Sequence, residues 1–125
     1  MYCGKADKLL FIKKKNADLS ALNDIQIGTE EVIGKLGNDT LYRKTYTYEG
    51  SAIAATTVID SSLTTATIKP FKIVGSGFRK DSTVWHPMGI LGNYYLITNI
   101  GSNGARVETN MNITKYVVSI EYTKL

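Results

Sequence analysis

The sequence predicts an all-β protein, an antiparallel β-sandwich of jelly-roll-like form behind a short N-terminal leader. Three observations support this. Apolar and polar residues alternate with period two in several segments. Gly and Asn punctuate the chain between them. Thr and Tyr are abundant, with 8 Tyr in 125 residues. Short strands separated by such turns build sandwiches and barrels. A chain of 125 residues makes one domain with a real core. The leader is assigned to residues 1–26 and the sandwich to residues 27–125.

The leader differs in character from the rest of the chain. Leu9-Leu10-Phe11-Ile12 is a short apolar run suited to a strand or an anchoring contact. Asp18 can cap a helix, but the stretch to Asp24 holds only a turn or two. From Ile27 onward strands dominate. Gly34 and Gly37-Asn38-Asp39 are turn signals. Leu41–Tyr48 places Tyr42, Tyr46 and Tyr48 on one side and Leu41, Arg43, Thr45 and Thr47 on the other. Residues 51–66 lack a charged helical face, and Thr56–Ile59 reads as a strand or loop before a turn at Asp60-Ser61-Ser62.

Thr67–Val74 is a strand whose Pro70 suggests an edge or a bulge, and Gly75-Ser76-Gly77 is expected to end or bend it. Val84-Trp85-His86-Pro87 reads as a loop. Tyr94–Thr98 is a strand after the turn Gly92-Asn93. Ser102-Asn103-Gly104 is a hairpin turn before alternating Ala105, Val107, Thr109, Met111 and Ile113. In the closing strand Tyr116, Val118, Ile120 and Tyr122 face one way; Val117, Ser119, Glu121 and Thr123 face the other.

The formal charge of +4 invites a nucleic-acid reading, but its position weakens that reading. Residues 1–15 carry five Lys against Asp7 alone, whereas residues 16–125 carry ten basic and ten acidic residues. The excess belongs to an arm and not to the domain. Lys13, Lys14 and Lys15 are the candidate attachment residues of that arm, which is either a solvated tail or a docking segment. No apolar run approaches the ~20 residues of a membrane helix, and no signal peptide is read at the start, so membrane insertion is not expected.

Catalytic and metal chemistry find little footing. One Cys and one His exclude an internal disulfide and a Cys/His zinc site within one chain, and no cofactor is expected. His86 is a lone loop histidine, and no Gly-x-Ser-x-Gly elbow frames a serine. Cys3 reads as an unpaired thiol. Glu30 and Glu31 are adjacent, so on a strand they point to opposite faces and cannot form a glycosidase pair. Gly75-Ser76-Gly77-Phe78-Arg79-Lys80 is a strand-ending turn more than a phosphate loop. The chain is therefore read as a non-enzyme.

Aromatic residues remain the candidate contacts. Trp85, Tyr46 and Tyr48 have faces that stack on sugars or anchor interfaces if exposed. Tyrosines on period-two strands equally suit a core or cross-strand pairs. Both readings stand at this level.

Two stretches carry a family resemblance. Thr29-Glu30-Glu31-Val32-Ile33-Gly34-Lys35-Leu36-Gly37-Asn38-Asp39-Thr40-Leu41-Tyr42-Arg43-Lys44-Thr45 resembles a segment recurring in tail-fibre, baseplate and head-fibre proteins of bacteriophages and prophages. Tyr116–Lys124 resembles the strand that closes that domain. The chain departs from the pattern at its turn, where Lys35-Leu36 and Gly37-Asn38-Asp39 replace a Trp and an Asp-Gly pair. The resemblance implies a non-enzymatic virion module for host-surface attachment or particle decoration. It implies a homotrimer that meets other virion proteins and a host glycan or protein, made in the bacterial host cytoplasm. Two alternatives remain: a small β-barrel binding single-stranded nucleic acid, and a polysaccharide depolymerase domain.

Overall fold

The computed structural model describes residues 25–125. The leader up to residue 24, with Lys13, Lys14 and Lys15, lies outside the described residues.

Ten strands form two antiparallel sheets. They are β1 (Ile25–Ile27), β2 (Glu31–Leu36), β3 (Asp39–Ile53), β4 (Thr56–Asp60), β5 (Ile68–Arg79), β6 (Trp85–Pro87), β7 (Gly89–Leu91), β8 (Tyr94–Gly101), β9 (Gly104–Thr109) and β10 (Ile113–Lys124). The larger sheet runs β1-β3-β10-β5-β6, with β2 also on β3; the smaller runs β4-β9-β8-β7. The sheets pack face to face as a sandwich and do not close into a barrel, so the barrel of the nucleic-acid alternative is not the form observed. Strand β1 straddles the boundary expected at residue 27.

The long strands follow from their alternation. In β10, Tyr116, Val118, Ile120 and Tyr122 are buried while Val117 points out. In β3, Tyr46 and Tyr48 lie on the same inner face, and Tyr48 stacks on Tyr116 at 5.2 Å between ring centroids. Leu96 and Val107 of the smaller sheet close the core from the other side. Gly34 takes a positive φ of 154° where the β2–β3 register shifts, so it marks a bulge inside the hairpin and not a turn between elements. Pro70 sits at a register shift in β5, beyond the part of that strand paired with β6, as the bulge reading expects.

Two expected breaks are strand instead. Gly75-Ser76-Gly77 runs through the middle of β5, pairing β10 on one side, with Ser76 and Gly77 pairing β6 on the other. These glycines make room: a Cβ on Gly77 would stand 2.5 Å from Leu96 Cδ2. That packing need, and not a turn, places glycine there. Residues 85–87 are likewise the edge strand β6, with Pro87 tolerated because no strand lies beyond it among the described residues.

Candidate functional site

The outer face of the larger sheet has no covering layer among the described residues. Its side chains are those of β3, β10 and β5 that alternate with the core set. In register they form four rows across the three strands: Arg43–Glu121–Lys72, Thr45–Ser119–Val74, Thr47–Val117–Ser76 and Glu49–Lys115–Phe78. Thr45 Oγ1 and Ser119 Oγ lie 2.9 Å apart, which fixes them on one face. Lys115 Nζ stands 3.8 Å from Glu49 Oε2 and 5.7 Å from the Phe78 ring centroid.

Trp85 borders this face. Strand β6 pairs Trp85 with Phe78, and the two rings meet edge to face at 5.6 Å. The indole keeps 49 % of its surface exposed. It separates two shallow grooves. One, of about 290 Å³, is lined by Val74, Ser76, Val117 and Ser119; the other, of about 320 Å³, by Gln26, Thr47, Glu49 and Lys115. Val74, Val117 and Phe71 are exposed apolar residues on the same sheet.

The other two aromatic candidates lie elsewhere. Tyr46 has no exposed surface and Tyr48 keeps only 8 %, so neither is an exposed contact. Both belong to the inward set of β3, where the second sheet covers them. Tyr46 Oη donates to Asp60 Oδ2 at 2.6 Å, and Tyr48 Oη donates to the Ser51 carbonyl at 2.5 Å. The hydroxyls thus serve the core.

A polar cluster occupies one end of the sandwich. Asp60 Oδ2 accepts from Lys44 Nζ at 3.1 Å and from Tyr46 Oη, while its Oδ1 accepts from Ser62 N and Oγ. Burial pushes the Asp60 carboxyl up, but the hydrogen bonds from Ser62, Tyr46 and Lys44 prevail and hold it at about 2. Nearby, Glu30 accepts from Tyr122 Oη and from Lys124 Nζ. The Tyr122 hydrogen bond, opposed by burial and helped by Lys124, holds Glu30 below its ordinary value. Burial first, then these carboxylates, push the Tyr46 and Tyr122 phenols well up. Both carboxylates are therefore ionised at neutral pH and already satisfied, and the phenols stay protonated. Such a set braces the fold more readily than it transfers protons.

Glu30 and Glu31 diverge, as adjacent residues must: Glu31 pairs with Arg43 at 3.2 Å. His86 Nε2 lies 3.2 Å from Ser82 Oγ. Among the described residues no group of three or more His, Cys, Asp or Glu is placed to hold a metal ion, and no helix is long and apolar enough to cross a membrane.

Sequence alternation marked Val117 and Ser119 as a side opposite the core but gave no reason to join them to Val74 or Trp85. That juxtaposition needs the β3–β10–β5–β6 order, which brings together residues as far apart in the chain as Thr45 and Ser119. Comparison of the chain with protein-family models, curated proteins and solved structures gives no match.

Proposed function

We propose that this chain is a non-enzymatic binding module of the bacteriophage appendage type, working within a homo-oligomer through the outer face of its larger sheet. The observation that carries the reading is the broad face, uncovered among the described residues, with a half-exposed Trp85 between two shallow grooves. Exposed aromatic and apolar residues bordered by charge suit contact with a macromolecule. The grooves are shallow and open, whereas a substrate-enclosing site buries most of its ligand. The engaged carboxylates Glu30 and Asp60 add support for a binding role. The resemblance of residues 29–45 and 116–124 supplies the virion setting and the host-surface or particle partner.

The test is binding of labelled full-length chain to a panel of bacterial cells and to phage particles, with competition by purified wall glycans. Trp85→Ala is expected to weaken binding about thirtyfold, as loss of an interface anchor does. Binding to no cell or particle, or equal binding by the variant, overturns the reading.

A further inference from the structure

The outer face of the larger sheet is self-complementary, and we propose that it pairs with the same face of a second copy of this chain about a two-fold axis. This rests on the reading of that face as a docking surface and makes a second copy its occupant, so that cell or particle binding acts through the assembled pair.

The argument is one of register. Take an axis lying in the plane of contact, across the strands, above the row Tyr46–Val118–Gly75. Rotation about it exchanges the two rows on one side with the two on the other, strand by strand. Arg43 then faces the partner's Glu49, and Glu121 faces the partner's Lys115. Both oppositions join unlike charges, and by symmetry each occurs twice. Lys72 comes opposite the partner's Phe78, as an ammonium over a ring. The two middle rows meet in the centre, placing Val117 against the partner's Ser119 and Val74 against the partner's Ser76. Trp85, at the end of the Phe78 row, comes beyond the partner's Lys72 at the open edge of β5; its ring is half exposed in the single chain.

The sign pattern is what makes this specific. Along β3 the outward residues read basic, hydroxyl, hydroxyl, acidic from Arg43 to Glu49. Along β10 they read basic, apolar, hydroxyl, acidic from Lys115 to Glu121. Each strand is thus its own complement when reversed. The two strands run antiparallel, so rotation opposes unlike charges at both ends at once. A two-fold axis along β10 would instead set Glu121 on the partner's Glu121 and Lys115 on the partner's Lys115. The two central rows carry Thr, Ser and Val, side chains small enough for face-to-face sheet packing, with the Trp85 indole standing beside them. Arg43 and Lys115 each have an intrachain acidic partner, Glu31 and Glu49, so the contact adds a second carboxylate to each cation.

The test is sedimentation equilibrium of the full chain across micromolar concentrations at low and high salt. A dimer that weakens with salt is expected. Arg43→Glu should weaken it about tenfold or more, because the like charge meets the partner's Glu49. The double variant Arg43→Glu with Glu49→Arg should restore it, which only a contact between these two positions across copies predicts. Val117→Glu at the centre should give a monomer with unchanged circular dichroism. A monomer or a trimer of the unaltered chain, or a dimer indifferent to these changes, overturns the pairing. A monomer that still loses cell or particle binding with Trp85→Ala overturns the pairing and leaves the proposed function standing. A charge-dependent dimer that binds no cell or particle supports the pairing and overturns the function.

Discussion

Tyr46 reaches from the centre of the larger sheet to Asp60 at the end of a strand in the smaller one, and its hydroxyl donates a 2.6 Å hydrogen bond there. Both residues are buried, so the bond is a cross-tie between the layers, shared with the Lys44 ammonium on the same carboxylate oxygen. Removing the hydroxyl by Tyr46→Phe leaves Asp60 with Lys44 and Ser62, and is expected to cost about 1 to 2 kcal/mol. Asp60→Ala is expected to cost about 3 kcal/mol or more, because it strands both Lys44 and the buried phenol. Urea unfolding of the two variants gives the order directly; equal losses would refute it.

The same carboxylate predicts an acid limb. Asp60 is held at about 2 against an ordinary value of 3.8, so the folded state prefers the ionised form. Its contribution is therefore complete above about pH 4 and is lost as pH falls through 2, amounting to about 2 kcal/mol. Glu30, also held low, adds in the same direction. Denaturation measured from pH 6 to pH 2 should show stability falling over the lower half of that range. Asp60→Asn should flatten the fall, and an unchanged slope would contradict the assignment.

How much of this was open to sequence reading depends on range. The faces of β3 and β10 follow from alternation alone, since Tyr46, Tyr116 and Tyr122 recur at even spacing and the burial agrees. Glycine and proline misled where they answered tertiary needs. Gly75 and Gly77 read as a break because a local pattern cannot see Leu96 lying over Gly77 or the β10 backbone beside Gly75. Pro87 read as a loop because sequence does not say which strand is an edge. Which tyrosines are buried depends on which face the second sheet covers. The Trp85 face was illegible because it is assembled across strands from residues distant in the chain.

Two glycines should separate turn need from packing need. Gly104 adopts φ 129°, and a Cβ there would meet the Asp60 carbonyl oxygen at 2.6 Å. Gly104→Ala thus combines backbone strain with a clash against main chain, and about 3 kcal/mol is expected. Gly77→Ala meets the tip of the Leu96 side chain, which can shift, so about 1 to 2 kcal/mol is expected. Thermal unfolding midpoints should rank unaltered protein, Gly77→Ala and Gly104→Ala in falling order.

Tyr116 provides the contrast to Tyr46. Its ring is buried and stacked on Tyr48, yet its hydroxyl oxygen has no hydrogen-bond partner among the described residues. Burial pushes this phenol well up, as expected for a polar group without compensation. A buried unpaired hydroxyl costs about 1 to 3 kcal/mol in desolvation. Tyr116→Phe keeps the ring, the stacking and the shape while removing that cost. The variant is expected to match or exceed the unaltered protein in stability, by up to about 1 kcal/mol once the small void is counted. Tyr46→Phe, the same chemical change two strand positions from the stacked pair's Tyr48, is expected to lose stability because its hydroxyl is engaged. Measuring both by urea unfolding decides the matter: opposite signs support the assignment of the two hydroxyls, and equal losses contradict it.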